Sequence, residues 1–190
     1  EVKKTLERVV RTLRSAGATI VSVKLPMVEE AVEAWVPICT SEAALAHILT
    51  YPKRKSGYSA VYSGFLDDGH AVSGMDYARA QITRKNFQGA MQAIFQSIDL
   101  MISPVIGMLN PTIKKFDALC AKDGGLMELI YWTCLDDMTG APTITLPAGL
   151  DSNGSPLGFQ LVGRPFEEGL LFRAGAVWQR AADWRGVKPP

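Results

Sequence analysis

Residues 143–162 hold two short apolar runs separated by a turn, and this pattern constrains the fold more than any other part of the chain. The first run alternates β-branched residues and ends at Gly149. Residues 151–154 read Asp-Ser-Asn-Gly, and an Asn-Gly pair tolerates the positive φ angles of a tight turn. We therefore predict a β-hairpin. A helix from Phe166 to about Ala182 should follow, with acidic residues in its first turn, near its positive pole.

Apolar residues at helical spacing predict further helices along the chain. The first covers about residues 2–14 and ends at Gly17, because glycine adopts the left-handed conformation without penalty. Residues 28–50 form one helix, or two if Pro37 breaks them and the Thr40 hydroxyl caps a second. We also predict a helix over 77–97 capped by Asp76, and another over 126–138.

Two further segments have strand patterns. Residues 18–26 would follow the first helix as a strand, and residues 99–105 form a buried strand that Pro104 stops. Residues 51–75 should be irregular with short helical pieces, and residues 107–125 should form a loop. This alternation predicts an α/β fold with a mixed β-sheet covered by helices on both faces.

The composition excludes several functions. A chain of 190 residues with 47% hydrophobic content can bury one sizeable core, and a net charge of +1 gives no support for a nucleic-acid partner or an anionic membrane surface. No apolar run approaches the roughly 20 residues that span a bilayer.

The cysteines and histidines lack metal-ligand spacing, so we predict no metal and no cofactor. Three cysteines without a disulfide framework favour a reducing compartment, here the cytoplasm. The chain begins at Glu1, so the lack of a signal peptide carries little weight.

Local charge patterns leave alternatives open. The basic residues of the first helix form either an anion site or a solvated helix face, and Lys53–Lys55 form either a phosphate patch or a solvated loop. Glu42 is either a catalytic carboxylate or electrostatic support for a helix start. The solvated or electrostatic interpretation is the simpler one in each case.

The last third of the chain resembles the amidase signature family. It matches a long ordered pattern: small-Gly-small-Pro, a strand ending in Pro-Ala-Gly, a Gly turn, Pro-x-Gly-x-Gln-x-x-Gly, an acidic helix start and a late aromatic. The matching positions are Gly140, Pro142, Pro147, Gly149, Gly154, Pro156, Gly158, Gln160, Gly163, Glu168 and Leu171. Upstream, residues 76–87, 99–105 and 17–26 also resemble family segments.

This resemblance implies a serine amidohydrolase that uses a lysine, a serine held by a cis peptide and a nucleophilic serine. The family carries its serines in a glycine- and serine-rich segment, and residues 1–190 contain none. Family members are more than twice this length, so the resemblance implies that residues 1–190 are the C-terminal portion of a single amidase-signature α/β domain. We assign no catalytic residue here and expect the segment alone to be inactive. Ser103 and Ser59 are the alternative nucleophiles.

Position within the family also implies a substrate-pocket wall. The candidate residues are Ser59, Ala60, Tyr62, Ile130, Thr133, Cys134 and Asp137. The amidotransferase branch of the family would place an arginine near position 60 and an acid near position 130. Ala60 and Ile130 lack those charges, so an apolar or aromatic amide is favoured. Asp137 could instead be structural, and Tyr131 and Trp132 either stack on an aromatic substrate or pack in the core.

Three functional hypotheses follow. The first is an amidase whose partners are a small-molecule amide, the missing N-terminal half of the same protein and, in one variant, a second copy in a homodimer. The second is a non-catalytic relic or binding subunit. The third is an amidotransferase A-type subunit that works with a protein partner and tRNA.

Overall fold

The computed structural model describes residues 1–122 and 124–182, which form seven α-helices, one 3-10 turn and three strands. The helices are α1 (Val2–Ser15), α2 (Val28–Ala46), α3 (Ala60–Ala71), α4 (Gly74–Phe95), α5 (Ile113–Cys120), α6 (Gly125–Thr139) and α7 (Glu168–Ala181), with the 3-10 turn at Lys55–Gly57. The strands are β1 (Met101–Pro104), β2 (Thr143–Leu150) and β3 (Pro156–Val162).

The predicted hairpin forms between β2 and β3. The two strands pair antiparallel with Thr145 opposite Gln160, and the register shifts between Pro147 and Gly149. In the turn, Asp151 Oδ1 accepts backbone N–H groups from Asn153 and Ser155, each at 2.8 Å. β1 pairs antiparallel with the other edge of β3, so the strand order is β1-β3-β2.

Alternate residues of the sheet face two separate apolar clusters. Leu161 and Phe159 pack with Val9 of α1 and Trp178 of α7 on one face. Val162 and Met101 pack with buried residues of α2, α4 and α6 on the other. The predicted α/β class with helices on both faces is therefore confirmed. Every strand pair among the described residues is antiparallel.

Residues 18–26 do not form the predicted strand. They pair with no strand in the described part of the chain, and Val21 is 55% exposed. The alternating apolar pattern indicates extended backbone, but a strand also needs a neighbour for its hydrogen bonds, and a local pattern carries no information about that neighbour.

Two segments predicted as irregular contain regular helices. Ser59 caps α3 by accepting the Tyr62 N–H at 3.2 Å, and Thr112 caps α5 by accepting the Lys115 N–H at 3.3 Å. Glycines at 64 and 69 weaken the helical signal of α3, but packing against α2 overrides that local preference.

The helix starts also differ from the prediction. α4 is capped by Ser73, whose Oγ accepts the Asp76 N–H at 3.1 Å, so Asp76 lies in the first turn and not at the cap. α2 continues through Pro37, and the Thr40 hydroxyl donates to the Val36 carbonyl at 2.8 Å instead of capping a new helix. The late aromatic of the family pattern, Trp184, lies outside the described residues. None of the described helices is both long and apolar enough to cross a bilayer.

Candidate functional site

A cavity of about 610 Å³ lies between α2, α3 and the start of α6. α2 and α3 supply most of its apolar wall, and the chain from Cys120 to Met127 supplies the rest. The lining residues are Trp35, Val36, Thr40, Ala60, Val61, Gly64, Phe65, Asp68, Cys120, Ala121, Lys122, Gly124, Leu126 and Met127.

Two glycines of α3, Gly64 at the cavity and Gly69 beside α2, have different surroundings. A side chain at Gly69 would collide with the backbone carbonyl of Thr40, so glycine is what allows α3 to pack closely against α2. Gly64 has no heavy atom within 4 Å of where its Cβ would stand, and it lines the cavity. The same helix therefore uses one glycine for close packing and leaves open space at the other.

Aromatic side chains form a wall that runs from Trp35 at the cavity to His47 at the C-terminal end of α2. Trp35 Nε1 donates to Asp137 Oδ2 at 3.1 Å, which ties α2 to α6. The Trp35 and Phe65 rings lie 6.3 Å apart between centroids, and Phe65 stacks on Tyr62 at 6.1 Å. The Tyr62 hydroxyl lies 3.1 Å from His47 Nε2. Asp137 thus holds the indole that forms one side of the cavity.

The charged residues at the cavity differ in their partners. Lys122 pairs with Glu128 at 2.5 Å. Asp68 takes part in none of the ion pairs between described residues. Its neighbour Asp67 does not line the cavity and pairs with Lys55 at 2.8 Å. Hydrogen bonds from Lys55 and Tyr51 lower the pKa of the Asp67 carboxyl.

A second, smaller cavity of about 380 Å³ lies beside the first and shares Gly124 and Met127 with it. Tyr131 and Trp132 line it, with ring centroids 5.5 Å apart. Both residues are half-buried and belong to neither core cluster, so they are placed where a ligand could reach them.

The predicted pocket-wall residues fall into two groups. Ala60 lines the larger cavity, Ser59 caps the helix that carries it, and Tyr62 and Asp137 support its aromatic wall. Three others lie on α6 outside either cavity lining: Ile130, Thr133 and Cys134. Cys134 is fully buried, and burial raises the pKa of its thiol to about 12.

Trp35, Phe65 and Asp68 are cavity residues that sequence reasoning missed. Val61, Gly64, Phe65 and Asp68 recur at the spacing of one helical face, which was the available signal. Gly64 and Gly69 weaken this signal, because glycine is a poor helix former.

A polar pair, the buried Gln160 and the half-buried Asp136, connects α6 to the sheet. Gln160 Nε2 donates to Asp136 Oδ2 at 2.7 Å. Burial, with a smaller contribution from the charge of Asp137, raises the pKa of Asp136 to about 7. Ser103, on β1, lies opposite Gln160, and its buried hydroxyl has no hydrogen-bond partner among the described residues. The Gln160 position stood out in the family pattern, but its partner Asp136 did not.

Neither alternative nucleophile has the geometry of an activated serine. The buried Ser103 hydroxyl is hydrogen-bonded to none of the residues that the structure describes, and the Ser59 hydroxyl accepts the Tyr62 N–H at a helix cap. An activated serine needs a hydrogen bond to a general base. Within residues 1–122 and 124–182, no group of three or more His, Cys, Asp or Glu side chains could hold a metal ion.

Comparisons with known proteins agree on one family. The family model described as Amidase matches residues 1–172. The AmiD protein of Mycobacterium tuberculosis is 32% identical over 149 residues, which cover 78% of this chain and 31% of that protein. An amidase of Pseudomonas putida is 28% identical, covering 100% of this chain and 41% of that protein. The A-type subunit of the glutamyl-tRNA(Gln) amidotransferase from Chloroflexus aggregans is 27% identical, covering 95% and 41%.

The fold agrees with solved structures as well. The structure of 6-aminohexanoate cyclic dimer hydrolase complexed with substrate superposes with a TM-score of 0.84 at 19% identity. The superposition covers 100% of this chain and 43% of that structure. The chain thus spans less than half the length of the curated relatives it matches.

Proposed function

The chain belongs to the amidase family, and from this premise we propose that the protein containing it hydrolyses carboxamides to a carboxylate and ammonia or an amine. The observation that carries the proposal is the family match over residues 1–172, which reaches from α1 into α7. A relative named as an amidase that aligns with the whole chain adds support.

The proposed reaction passes through an acyl-enzyme. A serine Oγ attacks the amide carbonyl carbon, and the C–N bond breaks as the amine leaves with a proton. Water then hydrolyses the ester to release the carboxylate and restore the serine. Backbone donors would stabilise the oxyanion that develops at each step.

We place the serine, the cis-peptide serine and the lysine of this reaction on an N-terminal half outside residues 1–190. Residues 1–190 would then be the C-terminal portion of a single α/β domain. Two observations support this division. The chain spans less than half of its relatives, and no general base among the described residues is hydrogen-bonded to the Ser59 or Ser103 hydroxyl.

The larger cavity is our proposed contribution of this chain to substrate binding. Its apolar lining, with Trp35 and Phe65 on one side, suits the non-reacting part of an apolar or aromatic amide. Ala60 would touch the substrate, while Ser59, Tyr62 and Asp137 would support the wall. Ile130, Thr133 and Cys134 stay predictions from family position.

The test is amide hydrolysis by the full-length protein. Ammonia release from phenylacetamide and from acetamide should show turnover with both, and a lower KM for the aromatic amide. A verified protein of residues 1–190 alone should be inactive, because loss of the nucleophile in a serine hydrolase costs on the order of a millionfold in turnover. Hydrolysis by residues 1–190 alone would overturn the placement of the nucleophile.

An amidotransferase component is the second candidate, because a protein of that class is 27% identical over nearly the whole chain. The apolar side chain of Ala60 at the cavity speaks against it, since the carboxylate of an amino-acid substrate would be buried there without the counter-charge of an arginine. Glutaminase activity together with a co-purifying protein partner would favour the amidotransferase. A catalytically silent protein that captures a partner would favour a binding subunit.

We also propose a cytoplasmic location. The support is that Cys39, Cys120 and Cys134 are free thiols. A homodimer stays a prediction, which sedimentation of the full-length protein would test.

A further inference from the structure

One face of α3 lines the larger cavity and ends in a carboxylate. Val61, Gly64, Phe65 and Asp68 all line the cavity, and their spacing places them along one side of the helix. Asp68 follows Phe65 by three residues, so its carboxylate lies about one turn beyond the aromatic ring. Asp68 is exposed and Phe65 is half-buried, which puts the charge toward solvent and the ring further in.

Asp68 is the cavity residue whose charge is left uncompensated by described residues. Among the described residues of the lining, the other charged group is Lys122, and its ammonium pairs with Glu128 at 2.5 Å. Asp67, one residue earlier, is neutralised by Lys55 at 2.8 Å. An anionic ligand would therefore meet repulsion at this cavity, and a cationic ligand would meet an available carboxylate.

The aromatic wall also favours a positively charged ligand. Trp35 is held in place by its hydrogen bond to Asp137 at 3.1 Å, and Phe65 lies against it. A cation near the face of a tryptophan or phenylalanine ring is attracted by the ring quadrupole. The uncharged body of a ligand could pack on Val36, Leu126 and Met127 while its ammonium group meets Asp68.

We infer that this cavity is a subsite for an apolar or aromatic group that carries a protonated amine, with Asp68 as the residue that selects the amine. The inference rests on the proposed function, because it treats the cavity as the substrate pocket of the amidase. It narrows the substrate class from apolar amides to amino-substituted amides, such as those of amino acids or diamines.

The test compares two ligands of equal shape that cannot be hydrolysed. Binding of 2-phenylethylamine and of 2-phenylethanol to the full-length protein is measured by calorimetry near pH 7, where the amine is protonated. We expect the amine to bind about five- to tenfold tighter, the size of an exposed ion pair combined with a cation–π contact. Asp68→Asn should reduce that ratio to about one and leave the alcohol's affinity unchanged.

Two variants on the same helix serve as controls. Asp67→Asn makes the same charge change on a residue outside the cavity lining and should keep the amine preference. Gly64→Leu extends a side chain into the open space of the cavity and should weaken both ligands at least about tenfold. Circular dichroism of each variant shows whether it is folded.

Each outcome decides the inference. Equal affinities in the unchanged protein, absence of binding by either ligand, or an amine preference that survives Asp68→Asn would overturn it. Asp68-dependent amine binding by a protein that cleaves no amide would support the subsite and reject the amidase function. Amide hydrolysis without any amine preference would support the amidase function and reject the subsite.

Discussion

Gly149 lies where the β2–β3 hairpin contacts helix α1. Its φ of +147° lies in a region that residues with a side chain rarely adopt. The guanidinium of Arg8 donates to the neighbouring Ala148 carbonyl and fills the space where a Cβ at Gly149 would stand. The backbone conformation therefore requires glycine at this position, whereas the flexible end of the Arg8 side chain can move away from a methyl group.

We predict that Gly149→Ala lowers the free energy of unfolding by about 2–3 kcal/mol, through strain of the backbone at a φ of +147°. Gly154→Ala is the matched control, because Gly154 has a positive φ of 78° but nothing within 4 Å of its Cβ position. It should cost only about 1 kcal/mol. Urea unfolding measures both, and equal losses would show that the φ of +147° at Gly149 carries no more strain than the φ of +78° at Gly154.

Asp136 should make stability depend on pH. Its native pKa is raised to about 7, above the ordinary value near 4, so the folded protein holds this proton over a range where the unfolded chain releases it. Stability should therefore fall as the pH rises from about 4 to about 7, with a slope of at most about 1.4 kcal/mol per pH unit from this group.

We predict that Asp136→Asn removes the contribution of this carboxyl to the pH dependence of stability. The asparagine oxygen can still accept the Gln160 N–H, so the hydrogen bond across α6 and β3 is kept while the titration is lost. Unfolding free energies measured by urea at pH 4.5, 6 and 7.5 should fall less steeply in the variant. An unchanged slope would show that the pKa of Asp136 is not raised in the folded protein.

At the scale of elements, helices α2 and α3 pack together through Gly69. We predict that Gly69→Ala lowers the free energy of unfolding by about 1–3 kcal/mol, because its methyl group would collide with the Thr40 carbonyl and push the helices apart. Gly64→Ala on the same helix meets open space and should be neutral or stabilising by up to about 1 kcal/mol. Thermal unfolding of the pair distinguishes packing from helix propensity, and losses of similar size would contradict the close approach of α2 and α3.

At the scale of the whole molecule, the sheet separates two apolar clusters. Ile38 belongs to one and Leu171 to the other. Ile38→Val should cost about 0.5–1.5 kcal/mol and Leu171→Ala about 2–5 kcal/mol. In the double variant these losses should add within about 0.5 kcal/mol. Urea unfolding with an unchanged m-value checks this, and a large departure from the sum would indicate coupling through the sheet.

The elements that could be predicted are those with local chemical signals. Asn153-Gly154 indicated the hairpin turn, Pro104 marked the end of β1, and Gly17, with its φ of +99°, followed the first helix. The elements that were missed depend on distant partners. Residues 18–26 have a strand pattern without a paired neighbour among the described residues, and the glycines of α3 are tolerated only because α2 packs against them.

The candidate site, like the fold, has features that the sequence predicts and features that depend on distant contacts. The sequence by itself determined the hairpin, most helices and, through the ordered pattern around Gln160, the family. Only the tertiary structure decided which residues meet. Trp35 and Asp137 are 102 positions apart and form one hydrogen bond, and Asp136 and Gln160 form another across 24 positions. Turn and cap chemistry acts between neighbours in the chain, whereas a cavity is formed by helices brought together by packing, which no local pattern encodes.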